Sequence, residues 1–140
     1  VEVRKLAKSS VEQRVMRTYA GYRGDILLGH AFIDTHEVRS LSETLMIVIS
    51  PDGMVRNTMV LAFHEPPDYL PSKQWLAQIA GKGLHLGFQV NREVDCITGA
   101  TMTSYAVVDS VRRVLAVHQL VVQPKIRSSA QRSVGVTDSM

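Results

Sequence analysis

Several features that often identify a function are scarce or absent in this chain of 140 residues. The single cysteine, Cys96, excludes an internal disulfide, and no Cys-x-x-Cys or Cys-x-x-Cys-His pattern is present to bind an iron–sulfur cluster or to attach haem c. The longest purely apolar run, 45–49, is too short to span a membrane. The histidines form no His-x-x-x-His pair, so we expect no metal site, and a Gly-x-x-x-x-Gly-Lys-Ser/Thr phosphate loop is also absent.

Length and composition fit one folded domain followed by a short tail. Hydrophobic residues make up 45% of the chain and charged residues 21%, which are ordinary globular values. The net charge of +3 is mild, and Lys and Arg are neither clustered along a helix nor interleaved with aromatics, so we expect no nucleic-acid partner. The polar, basic sequence 125–140 predicts a disordered tail, which leaves 1–124 as the domain. Because the chain begins with Val1, we expect a processed product.

Two turn signals divide the first half of the chain into strands. Gly24-Asp25 suits a tight turn, and Pro51-Asp52-Gly53 combines a preset φ, a carboxylate that bonds back to the chain and a residue that takes positive φ. They predict two hairpins, with strands at 19–23, 26–35, 44–50 and 54–64. Because 44–50 is almost wholly apolar, we expect a central strand covered on both faces. Alternation predicts one shared face in the last strand for Val55, Met59, Leu61 and Phe63.

Helices are predicted at three places. A Ser-x-x-Glu capping box predicts a helix at 9–18, and Ser72 and Gly81 mark the start and end of a second helix. The last predicted helix, 103–119, has an apolar stripe and an expected surface ion pair, Asp109–Arg113. Hairpins followed by helices, without alternating β and α units, predict an α+β fold in which an antiparallel twisted sheet packs with helices.

The most informative pattern is Asp-x-x-Thr-Gly-Ala-Thr, which runs from Asp95 to Thr101 immediately before the last predicted helix. A glycine here lets the backbone approach an anion closely, and the free N–H groups and positive dipole end of the helix point at the turn. The pattern therefore predicts a phosphate site with Thr101 at the phosphate. The alternative is an ordinary helix N-terminus, in which Thr101 or Thr103 caps the first turn and Gly99 only turns the chain.

The same residues resemble the flavinylation signature Asp-x-x-[Ser/Thr]-Gly-Ala-Thr of the FMN-binding domain family. That family includes the peripheral flavin subunits of the sodium-translocating NADH:quinone oxidoreductase and of the Rnf complex. Thr103 and Ser104 also fit, since the signature commonly continues as Gly-Ala-Thr-x-Thr-Ser. The resemblance implies that Thr101 carries FMN covalently through a phosphoester, attached by a flavin transferase that uses FAD and Mg²⁺. It also implies an extracytoplasmic setting, periplasmic or at the cell surface, with a membrane anchor that is absent from this chain.

The predicted cofactor site combines side-chain and backbone donors. The hydroxyls of Thr98, Thr103 and Ser104 and the amides of 100–103 can donate to phosphate oxygens, although Thr103 or Ser104 can instead be only the N-cap. The resemblance implies that the transferase recognises Asp95 near Mg²⁺. The complete set of predicted cofactor-binding residues is Asp95, Thr98, Gly99, Ala100, Thr101, Met102, Thr103, Ser104, Glu65 and Pro66.

The loop 64–69 is predicted to supply contacts to the isoalloxazine ring, which needs a flat apolar slot. The loop stands where relatives carry a His-x-Glu-Thr-Pro-Gly segment that contacts the flavin; Glu65 and one proline match, whereas the threonine and the glycine are replaced. Trp75 is expected to pack on the sheet in the core, and Cys96 to be a small apolar filler.

Together these features favour an electron carrier, in which bound FMN supplies the redox chemistry. The resemblance implies partners such as a cytochrome, quinone or NADH oxidoreductase system. No substrate pocket with an acid, base or nucleophile is visible, so we expect no catalytic residues and a carrier rather than a self-contained enzyme. Two other interpretations are a redox-sensing or regulatory flavin module of a membrane-associated system and a structural interaction domain with a degenerate motif.

Overall fold

A computed structural model describes residues 16–129, which form a four-stranded antiparallel sheet with helices packed on one face. The strands follow one another in chain order as β1 (Arg17–Arg23), β2 (Ile26–Glu37), β3 (Ser42–Ile49) and β4 (Val55–Phe63). After a 3₁₀ turn at Pro67–Tyr69, the chain forms α1 (Lys73–Ala77) and α2 (Thr101–Val117). The predicted α+β fold is confirmed. The capping-box helix predicted at 9–18 falls largely outside the described residues.

Both predicted hairpins are present, with small changes in the strand ends. Turns at 24–25 and 51–53 join the strands as expected. β1 starts at Arg17, so Arg17 and Thr18, which were expected at the end of a helix, lie in a strand paired with Ile33 and Phe32. The loop that follows α1 is irregular, as expected, with an isolated bridge between Val90 and Val94.

β3 is an inner strand, as predicted, but only one of its faces is fully covered. Leu45, Ile47 and Ile49 are buried on the face that packs against the helices. Met46 and Val48, on the opposite face, are only half-buried. The expectation that both faces are covered is therefore wrong, because the helices lie on one side of the sheet.

Two β-bulges change which residues of β4 face the core. The register with β3 shifts at two places along β4, and each shift adds one residue to β4 that has no partner opposite it. Every such insertion moves the following side chains to the other face. Val55 and Thr58 are buried, whereas Met59 and Leu61 are exposed. The single face predicted for Val55, Met59, Leu61 and Phe63 is therefore wrong.

The last helix extends beyond its predicted end. α2 continues through a π-helical segment, His118–Val122, and helical structure persists to residue 129. Val122 packs against the core, so the π-helical segment is attached to the rest of the domain. Residues 125–129, which were assigned to a disordered tail, are therefore helical, and the rest of that tail lies outside the described residues. Within residues 16–129, no helix has the length and apolarity needed to cross a bilayer.

A buried polar network joins the sheet to α2. Oδ2 of Asp34 accepts hydrogen bonds from His36 Nδ1 (2.9 Å), Ser110 Oγ (2.6 Å) and Arg113 Nη2 (3.0 Å). His36 also donates from Nε2 to Oε1 of Glu43, at 2.6 Å. Arg113 thus pairs with Asp34 of β2 and is buried, so the expected surface ion pair with Asp109 is wrong.

The network also sets the charge states of its members. Burial alone would raise the pKa of Asp34, but hydrogen bonds from His36 and Ser110 and the charge of Arg113 outweigh it and lower that pKa to about 2. Burial would lower the pKa of His36, but its hydrogen bonds to Asp34 and Glu43 raise it above the ordinary value. Because both partners of the imidazole are carboxyl groups, the arrangement favours the protonated ring, in which both nitrogens donate.

We predict that Asp34→Asn costs about 3 kcal/mol of the free energy of unfolding, because it leaves the guanidinium of Arg113 buried without its counter-charge. Urea unfolding near neutral pH measures this. The control is Asp25→Asn in the exposed β1–β2 turn, which we expect to change stability by less than about 0.5 kcal/mol. Equal effects of the two substitutions would contradict a stabilising role for the network.

The buried side chain of His118 makes the stability of the fold depend on pH. The side chain is fully buried, edge-to-face with the rings of His30 and Phe32, and within residues 16–129 its nitrogens have no hydrogen-bond partner. Burial and the neighbouring charge of His30 lower the pKa of His118 from 6.5 to about 4. The folded protein therefore keeps a neutral ring in a range where the unfolded chain takes up a proton.

We expect this ring to make the protein less stable as the pH falls from 6.5 to about 4, because protonation then favours the unfolded chain. His118→Phe keeps an aromatic ring beside Phe32 and cannot be protonated, so its stability should fall less over the same pH range. Chemical unfolding at both ends of the range measures the difference. An identical loss in His118→Phe and wild type would contradict the prediction, and exposed His64→Phe serves as the control.

Candidate functional site

The loop that carries the motif is held in place by α1. Oγ of Ser72 accepts the N–H of Trp75 at 3.0 Å, which confirms the predicted cap. The indole Nε1 of Trp75 donates to the carbonyl oxygen of Asp95 at 2.7 Å, and Oε1 of Gln78 accepts the N–H of Asp95 at 3.0 Å. Both the carbonyl and the N–H group of Asp95 are thus held by side chains of α1 and of the residue that ends it. The ring of Trp75 packs against the core, as predicted.

The motif then turns into α2 without any side-chain cap. Gly99 has φ +79, a conformation that favours glycine, and the N–H of Ala100 donates to Ile97 O at 3.0 Å. Ala100 is the N-cap and can offer no side-chain oxygen. The N–H groups of 101–103 in the first turn therefore have no acceptor within the helix.

Ser104 supports this turn from inside. Its Oγ accepts the N–H of Ile97 at 2.8 Å and donates to the carbonyl oxygen of Ala100 at 3.1 Å. Ser104 and Thr103 are both buried in the first turn of α2. The interpretation that Thr101, Thr103 or Ser104 is the N-cap is therefore wrong, and the free amides stay available to a ligand.

A cleft of about 340 Å³ lies at this uncapped end, within the size range of small-molecule sites. Three segments meet there: the β2–β3 turn, the 3₁₀ turn after β4 and the start of α2. They meet because neighbouring strands run antiparallel, which brings the end of β2, the start of β3 and the end of β4 to the same end of the sheet. The cleft is lined by Arg39, Tyr69, Gly99, Ala100, Thr101, Met102 and Thr103.

The two threonines in the cleft are placed differently. Thr101 is exposed, and its Oγ1 lies 3.6 Å from Sγ of Cys96, a weak donor. Cys96 packs partly against the core, as expected of a small apolar filler. It also contacts the hydroxyl of Thr101, the predicted attachment point of FMN. Thr103 is only 1% exposed, and its Oγ1 has no hydrogen-bond partner in the described part of the chain. A reachable hydroxyl, free amides and an unpartnered buried hydroxyl together fit a phosphate group.

Other predicted site residues lie outside the cleft lining. Asp95 and Thr98 are exposed, Ser104 is buried beneath the turn, and Glu65 is buried beside an exposed Pro66. Of the loop 64–69, Tyr69 is the residue that reaches the cleft. A larger and mostly apolar groove of about 620 Å³ lies between β4 and α1, and no motif residue lines it. Residues 16–129 contain no group of three or more His, Cys, Asp and Glu side chains that could hold a metal ion.

Arg39 is not among the predicted site residues, and the β2–β3 turn brings it to the cleft. A hydrogen bond from Val38 N–H to Leu41 O (3.0 Å) closes the turn, and the side chain of Val38 is buried. The guanidinium of Arg39 lies over the ring of Tyr69, 5.1 Å from its centroid. No motif surrounds Arg39 in the sequence, so only the closeness of the turn to α2 identifies it.

The fold and site define a class of protein: an α+β domain that presents an uncapped helix N-terminus, a reachable threonine and one arginine at a surface cleft. The family model of the FMN-binding domain matches residues 41–116, which is more than half of the chain. The chain therefore belongs to the FMN-binding domain family. A search of curated proteins finds no relative that matches it.

The positive φ of Gly99 predicts that any side chain at this position lowers the stability of the fold. A Cβ at this position meets no atom within 4 Å, so the strain of Gly99→Ala comes from φ alone and should cost about 1 kcal/mol of stability. Gly81→Ala is a matched control, since Gly81 has φ +84 and equally open surroundings but lies outside the cleft lining. Chemical unfolding of both variants measures the cost, and unchanged stability of Gly99→Ala would contradict it.

Proposed function

We propose that this domain is an electron carrier whose FMN is attached through a phosphoester to Thr101. The observation that carries the proposal is the exposed Thr101 hydroxyl at the uncapped start of α2, inside the matched part of the chain. The amides of 101–103 lie at the same end of the helix and provide donors for phosphate oxygens, and the unpartnered hydroxyl of Thr103 is buried in the same turn. The bound flavin supplies the redox chemistry, and the protein binds and orients it.

In the proposed attachment, Oγ1 of Thr101 forms a bond to the phosphorus of the FMN half of FAD. The bond from this phosphorus to the bridging oxygen breaks, AMP leaves, and the threonine proton passes to a base of the transferase or to water. No oxidant or reductant is needed. The exposure of Thr101 supports this step, because the hydroxyl must enter the active site of a second protein.

The setting of the carrier is also part of the proposal and rests on the family resemblance. A flavin transferase that uses FAD and Mg²⁺ matures the domain, and Asp95, which is exposed at the start of the motif, is recognised during that step. Electrons pass between redox partners such as a cytochrome, quinone or NADH oxidoreductase system. The domain works outside the cytoplasm and is held at the membrane by an anchor.

The test is the intact mass of the chain produced together with a flavin transferase. We expect wild type to gain one FMN less one water and Thr101→Val to gain nothing, because valine keeps the shape of threonine but has no hydroxyl. The matched control is Thr18→Val, which removes an exposed threonine hydroxyl from β1, away from the cleft lining, and should still be loaded.

The outcomes separate the competing interpretations. Wild type that stays unloaded beside an active transferase and a loaded reference substrate would overturn the proposal and favour a structural domain. Loading of Thr101→Val would overturn the assignment of the acceptor. A loaded chain that exchanges electrons rapidly with a cytochrome or quinone system supports the carrier, whereas loading without such exchange contradicts it in favour of a sensory module.

A further inference from the structure

One charged side chain stands at the cleft. Of the residues that line it, Arg39 alone carries a charge, and within residues 16–129 it forms no ion pair. The other buried or bonded arginines have defined partners elsewhere: Arg112 donates to His85 O and Phe88 O, and Arg113 pairs with Asp34. Arg39 lies before the stretch matched by the family model, so the match itself assigns no role to this side chain.

The contact with Tyr69 leaves the donors of Arg39 available. The contact is made through the guanidinium carbon, 5.1 Å from the ring centroid, and no N–H group of Arg39 forms a hydrogen bond within residues 16–129. Tyr69 is half-buried and is held by the hydrogen bond from its N–H to Pro66 O, at 3.0 Å. The ring therefore gives a flexible, exposed side chain a preferred position at the cleft, while its fork of N–H donors remains free.

The electrostatics of the cleft favour an anion. The positive end of the α2 dipole and the free amides of 101–103 lie at the cleft, and the side chain of Arg39 lines the same cleft. No carboxylate lines the cleft to neutralise them. A planar fork of N–H donors matches two oxygens of one phosphate group better than a point charge does.

We infer that Arg39, oriented by Tyr69, is the side chain that binds the phosphate of the flavin at Thr101, an inference that rests on the proposed function. Arg39 is a positioning residue: it holds the phosphate in the cleft and takes no part in the bond that forms. The helix N-terminus and Arg39 bind the same anion. Exposure of the side chain means that replacing it leaves the fold intact.

The experiment monitors attachment and the attached phosphate separately. Wild type, Arg39→Gln, Arg39→Lys and Tyr69→Leu are loaded by a flavin transferase, with the rate read from intact mass and the bound phosphate from its ³¹P resonance. We expect Arg39→Gln to be loaded about tenfold more slowly and to shift the ³¹P resonance, because one charge-assisted hydrogen bond is lost. Arg39→Lys should lie between wild type and Arg39→Gln, and Tyr69→Leu should change both readouts in the same direction.

The controls test whether the effect depends on where the removed charge lies. Arg92→Gln removes an exposed arginine that does not line the cleft, and it should match wild type in both readouts. Thermal unfolding of the unloaded variants should agree with wild type, which separates binding from folding. Tyr69→Leu is judged against its own unloaded melting curve, because Tyr69 is half-buried.

Each result decides one question. An unloaded wild type refutes the proposed function and says nothing against Arg39 in particular. Loaded wild type with an equally fast Arg39→Gln and an unchanged ³¹P resonance overturns the inference. Slower loading of Arg39→Gln with an unchanged ³¹P resonance also overturns it, since Arg39 then acts on the transferase rather than on the phosphate.

Discussion

The position of α2 on the sheet depends on the hydrogen bonds that Asp34 accepts from Ser110 and Arg113. An apolar helix face can slide or rotate on a sheet at modest cost, whereas a buried carboxylate with three donors is satisfied in one arrangement only. Asp34 lies on β2, the strand that leads into the turn with Arg39. The same interaction thus ties α2 to the strand that leads into the turn with Arg39, and both of these segments line the cleft.

Polar groups in the buried network and at the start of α2 differ in their hydrogen bonding. Inside, hydrogen bonds link Arg113 to Asp34, Asp34 to His36 and His36 to Glu43. At the start of α2, the backbone amides have no internal acceptor, and Thr103 keeps a buried hydroxyl without a partner in the described residues. Other buried side chains of the described residues, such as Thr58 and His118, also lack a hydrogen-bond partner, but the start of α2 differs because its unpaired groups belong to residues that line a cleft. The free amides there are available to a ligand.

Local patterns predicted much of this structure, and longer-range geometry accounts for the errors. Turn residues placed both hairpins, Ser72 capped α1 as expected, and the motif fell at the start of α2. The face of β4 was wrong because two bulges interrupt an alternation that looks regular in the sequence. The ion pair of Arg113 was assigned within the helix because spacing shows only helical neighbours, and its true partner is 79 residues away. Arg39 has no local signature, since its role comes from the tertiary contact with Tyr69.

The shape of the site bears on the covalent bond proposed for Thr101. The cleft lies at the surface, holds about 340 Å³ and has one charged side chain, so it buries little of a ligand. We expect such a site to bind a free nucleotide weakly, because the ordering of the ligand offsets most of the contact energy. The proposed bond to Thr101 would remove this limit, since the phosphate would stay at a high local concentration beside its donors. The ring would then remain near the surface, where a second protein can approach it, and the proposed carrier needs that access more than a deep pocket.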